Sequence, residues 1–379
     1  MLLNDDQIMV RDMARDFAQR ELAPNSADWD RDAKVSPDAL AAMGQLGLSG
    51  MCVDPEWGGA GADYLSYIVA LEEIAAGDGA TSTIMSVNNS PVCAALVEYA
   101  TDAQKAKFLT PLAKGEHIAA FLLTEPQAGS DASNLRTRAV RQGDNFIING
   151  DKQFITSGQI ASTAMIFAVT DPDAGARGIS CFLSPTDAPG YNVVRIEDKL
   201  GQRGSDTAQI SLDDLEVPAK MMLGREGEGY KIALANLSSG RIGIGAQATG
   251  LARAAFEYAL VYAKEREAFG KPIFEHQAVA FRLADMATRI ETARQLTYHA
   301  ATLLMAGVPC RKEASMAKLF ASEMAEQVCS DAIQTLGGYG YLNDYPLERI
   351  YRDVRVAQIY EGTSDVQKML ISRLIKDDV

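Results

Sequence analysis

The chain has 379 residues, 47% hydrophobic and 23% charged, a globular composition that excludes intrinsic disorder and is large enough for more than one core. Its formal net charge of −14 argues against a nucleic-acid partner, because phosphate binding needs clustered Lys and Arg. No apolar run reaches the roughly 20 residues of a membrane span. The five cysteines (Cys52, Cys93, Cys181, Cys310, Cys329) and three histidines (His117, His276, His299) are too scattered for a disulfide framework, a zinc cluster or a serine triad, and the thiols read as buried and reduced.

Met1 to Arg20 carries Asp5, Asp6, Asp12 and Asp16. It has neither the apolar core of a secretory signal nor the acid-poor bias of a transit peptide, so a cytoplasmic location is expected. Residues 1–120 place apolar side chains at helical spacing and predict an N-terminal all-α domain. Within them Gly59-Ala60-Gly61 resembles the start of a dinucleotide fingerprint, but Tyr64 stands where its last glycine belongs. The segment is read as a tight loop. Residues 121–230 turn strand-like, with runs at 146–148, 165–169, 179–183 and 191–196. Turn signals at Gly143-Asp144, Asn149-Gly150 and Ala188-Pro189-Gly190 separate them and predict a small antiparallel barrel or sandwich. Residues 231–379 return to helical spacing, with Val279, Leu283, Met286 and Ile290 marking one helix and Met316, Leu319, Phe320 and Val328 another.

Three segments could carry chemistry. In Phe121 to Asp131, polar side chains and glycine-freed amides sit where the strand-rich zone begins, able to bond a heterocycle edge or cradle phosphate. The same residues would equally make a turn with a helix cap. In Lys152 to Gly158, Phe154 and Thr156 fall on one side of an extended chain, which suits covering a flat ring, or simply ends a strand. In Gln358 to Asp365, a single carboxylate, Glu361, lies between an aromatic and a glycine. Buried, it would have a raised pKa and could act as a base; a lone Glu is otherwise just solvated.

Taken together these segments resemble the acyl-CoA dehydrogenase family, from about residue 5 to residue 375. The resemblance rests on Leu123-Thr124-Glu125-Pro126 through Gly129-Ser130-Asp131, Gly240-Arg241-Ile242-Gly243-Ile244, Arg266-Glu267-Ala268-Phe269-Gly270-Lys271, Gln334-Thr335-Leu336-Gly337-Gly338 and Ile359-Tyr360-Glu361-Gly362-Thr363-Ser364. Ile84 to Ser90 is similar to the short-chain, butyryl-CoA branch. Phe154 at the usual tryptophan position and Gly337 to Leu342 are similar to isobutyryl-CoA dehydrogenase.

The resemblance implies an N-terminal all-α domain (1–120), a middle antiparallel β-barrel domain (121–230) and a C-terminal four-helix bundle (231–379), in a homotetramer. It implies FAD as cofactor, a short acyl-CoA as substrate and electron-transferring flavoprotein as electron acceptor. Glu361 would remove the α-proton while the β-hydride passes to flavin N5, with the enolate oxygen held by the Glu361 N–H and a ribityl hydroxyl. Phe121, Leu123, Thr124, Gly129 and Ser130 would line the isoalloxazine and pyrophosphate, and Phe154, Ile155 and Thr156 would cover the flavin near N5. Arg266, Phe269, Gln277, Gln334, Gly337 and Gly338 would hold the ADP half from a neighbouring subunit, with His276 at its edge. Thr363 and Asp365 would close over the cofactor. Ser130, Ser238, Arg241, Glu361 and Gly362 would meet the substrate, although Arg241 could equally be structural.

Some positions depart from the family pattern: Phe154 for tryptophan, Ser238 where many members carry Asp, Gln127 for glycine and Asp365 for glutamine. Gly240 occupies the position where the isovaleryl and long-chain branches keep their base, which argues against those branches. Ser86 to Ser90 lacks the arginine that a dicarboxylate substrate would need. Short branched acyl-CoAs (isobutyryl, 2-methylbutyryl, hence branched amino-acid catabolism), a flavin oxidase and a non-catalytic FAD-binding relative remain open alternatives.

Overall fold

Asn4 and Gln7 open the first helix, α1 (Asp5–Phe17), with a reciprocal capping box: Gln7 N–H donates to Asn4 Oδ1 (2.8 Å) and Asn4 N–H to Gln7 Oε1 (3.0 Å). The computed structural model describes residues 2–377, apart from the side chains of Ser238 and Asp377. Asp63 caps α2 (Tyr64–Gly77), and Asp78 caps α3 (Gly79–Val87), which follows almost without a break. The Gly59-Ala60-Gly61 segment is indeed a loop. It packs so tightly that a Cβ on Gly59 would lie 2.2 Å from the Val53 carbonyl oxygen.

Helix α2 is apolar nearly all round, as a helix buried on every side must be. Its exceptions, Glu72 and Glu73, are buried and paired: Glu73 with Arg15 of α1 (2.8 Å), and, across domains, Glu72 with Arg294 (2.8 Å) and Glu73 with Arg253 (2.6 Å). The Arg294 and Arg253 pairs fasten the N-terminal helices to the C-terminal ones.

The middle region holds β1 (Ala119–Leu122), β2 (Arg138–Gln142), β3 (Asn145–Thr156), β4 (Thr163–Val169), β5 (Ile179–Pro185), β6 (Tyr191–Ile196), β7 (Thr207–Pro218) and β8 (Met222–Leu223). They form one sheet in the order β6-β7-β3-β2-β4-β5-β8, with β1 also on β4. The expected antiparallel barrel needs correction on two counts. The ladder does not close among the described residues, since β6 and β8 end it, and β1 and β2 pair parallel to β4. The β2–β4 join is a single residue pair, Arg138 with Val169. Phe146 and Phe182 meet inside at 5.1 Å.

Gly143-Asp144 makes the tight β2–β3 turn, with Gly143 at φ 61°. Asn149-Gly150 is not a turn, as its composition suggests. It is an irregularity inside β3, where the pairing with β7 shifts register and Gly150 (φ 147°) lies against Thr137.

Three long helices follow: α4 (Gly229–Glu265), α5 (Gln277–Met305) and α6 (Arg311–Leu336). The fourth place of the expected bundle is shared by two short helices, α7 (Leu347–Val354) and α8 (Ser364–Leu374), with the Glu361 turn between them. On α5, Leu283, Met286 and Ile290 are buried as their spacing predicts. On α6 the reading needs correction: Phe320 is exposed, and the buried stripe is mostly Ala314, Ala317, Ala321, Ala325, Val328 and Ala332. Small side chains let α6 pack closely on α4, which offers Ala248, Ala252, Ala255 and Ala259 to the same core. Of the cysteines, Cys52 is exposed, contrary to expectation, because it lies in the turn before the Gly59 loop; the other four are buried.

Candidate active site

A cavity of about 430 Å³ opens where the sheet meets α3, α4, α6 and α8, within the range of small-ligand sites. Phe121, Leu123, Thr124, Gly129 and Ser130 form one wall with Phe154 and Thr156. Arg241, Glu361 and Gly362 form part of the other. Segments that are far apart in the chain are thus brought to one space.

The β3 side of this wall is shaped by a bulge. Pairing with β7 shifts register between Lys152 and Ile155, and Phe154 takes the left-handed conformation (φ 58°). The chain is therefore not plainly extended here, and the bulge swings the Phe154 ring out of the sheet, leaving it 65% exposed. Ile155 turns the other way: its side chain is buried in the sheet core, so only its backbone can face a ligand. Thr124 and Thr156 add hydroxyls, and an added Cβ on Gly129 would meet nothing within 4 Å.

Behind this wall, Lys152 and Glu125 form a fully buried ion pair (Nζ to Oε1, 2.9 Å). Lys152 Nζ also donates to the carbonyls of Leu123 (3.2 Å) and Phe167 (2.7 Å). Glu125 accepts from the N–H groups of Arg136 (2.6 Å) and Thr137 (3.0 Å). It also accepts from Gln127 Nε2 (2.7 Å), which gives the unusual Gln127 a local task. Burial alone would raise the Glu125 pKa, but Lys152 and these donors bring it down to about 2. Burial draws Lys152 down to about 8 against the pull of Glu125. At neutral pH both are charged and the pair locks the Thr124 loop to β3.

Opposite stands Glu361, in the turn between α7 and α8. It is left-handed (φ 55°), a strain on the order of 1–3 kcal/mol for a residue with a side chain, and Gly362 follows at φ 90°. Thr363 caps α8 through its hydroxyl (Val366 N to Oγ1, 3.3 Å), and Asp365 is exposed in that helix's first turn. The Glu361 carboxylate occupies the space a side chain at Gly240 would take: a Cβ there would lie 2.3 Å from Glu361 Oε2. That oxygen is buried and has no hydrogen-bond partner among the described residues. Burial pushes the Glu361 pKa up to about 7, with Arg241 and then Lys318 opposing. Arg241 is itself buried with its Nε unpartnered, and burial lowers its pKa against the pull of Glu361. A cavity-lining carboxylate with an unbonded oxygen and a pKa near neutrality can take a proton from a weak carbon acid placed before it.

The remaining expected residues gather elsewhere. Arg266, Gln334, Gly337 and Gly338 line a separate groove of about 440 Å³, where the Arg266 guanidinium lies over the Tyr339 ring at 5.6 Å. Phe269 tips the short hairpin beside it and is 97% exposed. His276 steadies that hairpin, with Nε2 and the Ala268 carbonyl 3.0 Å apart and its ring edge-on to Phe269, and Gln277 is exposed at the start of α5. Within one chain this groove is not part of the Glu361 cavity. The Ser238 side chain lies outside the described residues.

Sequence reasoning passed over several features. Lys318, Gln367 and the Glu125–Lys152 pair carry no local motif beyond a charged or polar residue among apolar neighbours. A third groove, of about 450 Å³, shares Tyr230, Leu234 and Arg311 with the Glu361 cavity and adds Arg177 and Lys231.

The chain belongs to the acyl-CoA dehydrogenase family, whose N-terminal domain matches residues 4–116, middle domain residues 120–215 and C-terminal domain residues 227–376. It is 46% identical over 371 residues to the short-chain specific acyl-CoA dehydrogenase of Clostridium acetobutylicum, covering 98% of each chain. Its fold is similar to butyryl-CoA dehydrogenase from Megasphaera elsdenii (TM-score 0.97, 40% identity, 99% of each chain). It is also similar to a chain solved in work on the electron transferring flavoprotein of Acidaminococcus fermentans and flavin-based electron bifurcation (TM-score 0.98, 46% identity, all of both chains). Enzymes of this family are FAD-dependent.

Proposed function

We propose that this enzyme desaturates a short straight acyl-CoA, butyryl-CoA-like, between its α and β carbons, with Glu361 removing the α-proton. The observation that carries this reading is the Glu361 carboxylate, whose Oε2 is buried without a hydrogen-bond partner among the described residues and which lines one end of a cavity whose far wall suits a flat ring. The residues present fit FAD: an exposed Phe154 ring, two hydroxyls and an open Gly129 face a common space. FAD bound there supplies the acceptor for the β-hydride. Thr124 and Thr156 would bond its edge and Phe154 would cover it.

The α-C–H of a thioester is a very weak acid, so the site must also meet the charge that develops on the thioester oxygen. The left-handed Glu361 and Gly362 turn places its own backbone beside the cavity, where the Glu361 N–H would serve as a donor. Arg177, Lys231 and Arg311, grouped around the adjoining groove, suit the phosphates of CoA. The Arg266 to Gly338 groove and the exposed Phe269 suit the ADP half of a neighbouring subunit's FAD, which requires at least a dimer and agrees with a homotetramer. Similarity to the Acidaminococcus chain supports an electron transferring flavoprotein as redox partner.

An anaerobic titration of the purified protein with butyryl-, isobutyryl-, 2-methylbutyryl- and octanoyl-CoA, following flavin absorbance, tests the reading. Bleaching by butyryl-CoA ahead of the others is expected. Bleaching led by a branched acyl-CoA would move the substrate to branched-chain catabolism, and a yellow protein that no acyl-CoA bleaches would overturn the activity.

A further inference from the structure

Lys318 sits on α6 in the stripe of Ala314, Ala317 and Ala321, and like them it is fully buried. Packing of two alanine-faced helices requires no charge there, and burying an ammonium is costly unless something local compensates. Among the described residues no carboxylate stands in ion-pair contact with it. Lys318 Nζ instead donates to the Gly362 carbonyl (2.7 Å). Gln367 Nε2 donates to the same carbonyl (2.9 Å) and to that of Glu361 (3.2 Å). The two carbonyls so clasped belong to the two left-handed residues of the turn, φ 55° and φ 90°.

Resting on the reading of Glu361 as the base, we propose that Lys318 is a positioning residue for proton abstraction. It holds the 361–362 turn so that the carboxylate stays in the space over Gly240, and it sets a positive charge at the Gly362 carbonyl, one residue from that carboxylate. Other groups that face Glu361 are Arg241 from α4, the hydroxyls of Tyr64 and Tyr67 from α2, and Tyr360 from its own turn. Arg311 acts on Arg241 and Glu323 acts on Lys318. Among the described residues only Arg241 and Lys318 favour the ionised base, and in a low-dielectric site each counts for more than it would in water. Arg241 lies toward the substrate cavity; Lys318 reaches the turn from the bundle and leaves the cavity free.

The test compares Lys318→Gln, Lys318→Arg and Gln367→Leu as holoenzymes, each checked for flavin content and melting temperature, by the pH dependence of kcat/KM with butyryl-CoA. Lys318→Gln should move the acid limb to higher pH by about one unit or more and lower kcat at least about tenfold, with KM little changed. Lys318→Arg should keep the limb in place and recover part of kcat. Gln367→Leu, which loosens the clasp but keeps the charge, should lower kcat with the limb unmoved. Should Lys318→Gln fail to yield holoenzyme, a wild-type kcat in Gln367→Leu would overturn the clasp. A wild-type limb and kcat in Lys318→Gln would overturn the proposal while leaving Glu361 as base, whereas activity in Glu361→Gln would remove the base itself.

Discussion

Glu125 lies fully buried behind one wall of the cavity and Glu361 stands half-buried in the other, and the protein treats the two carboxylates in opposite ways. Glu125 is saturated: Lys152, the N–H groups of Arg136 and Thr137 and the Gln127 amide occupy its oxygens, and it stays ionised with a pKa of about 2. Glu361 is starved: its Oε2 is buried without a partner, Arg241 and Lys318 act only from a distance, and its pKa rises to about 7. On the proposed reading the same side chain is a strut in one place and a proton acceptor in the other, and the adjacent Lys152 charge, with the hydrogen bonds supplied to Glu125, makes the difference.

The strongest way to break this contrast is to unbalance the strut. Lys152→Met leaves the Glu125 charge buried without its cation and should cost about 3–5 kcal/mol of stability, read as a lower denaturant midpoint, with weakened FAD retention because the Thr124 loop is freed. An unchanged midpoint would mean that the amide donors alone satisfy Glu125. Next comes Gly240→Ala. The added methyl displaces only the flexible end of Glu361, so melting temperature should barely move, while kcat should fall by about 100-fold from misplacing the base. A third comparison uses acid. The folded-state pKa of Glu125 lies below its ordinary value, so its contribution to stability is present above the ordinary carboxylate range and is lost as pH falls from about 4.5 toward about 2. Glu361 behaves in the reverse sense: turnover should decline as pH falls through about 7, where stability should still be unaffected by Glu125. Parallel activity and stability titrations should therefore separate; coincident curves would contradict the division of roles.

How much of this was legible in the sequence depended on distance along the chain. Local signals marked β3 to β6 and the two-residue turn at Gly143-Asp144, and they separated two helical zones from the strand-rich middle. They misplaced Asn149-Gly150, because a bulge and a turn ask for the same residues and only pairing with β7 distinguishes them. β7 itself, with Asp213 and Asp214 in its middle, escaped notice. Closure of a barrel is a nonlocal matter, decided here by β6 and β8, which end the ladder among the described residues. On α6 the large apolar residues drew attention, whereas the packed face is alanine. For the site, residues alone left Glu361 and Phe154 open to bland readings, and family resemblance made them candidates. The cavity joins most of those candidates, but Lys318 and the Glu125–Lys152 pair became visible only through their hydrogen bonds.

The central claim is that Glu361 is a base left unpaired for proton abstraction. It is tested most directly by anaerobic reduction of the Glu361→Gln holoenzyme with butyryl-CoA, followed by stopped-flow flavin absorbance. The account predicts a yellow protein that binds butyryl-CoA, melts close to the wild type and reduces its flavin slower by about 10³-fold or more. Reduction at the wild-type rate would contradict it and place the base elsewhere.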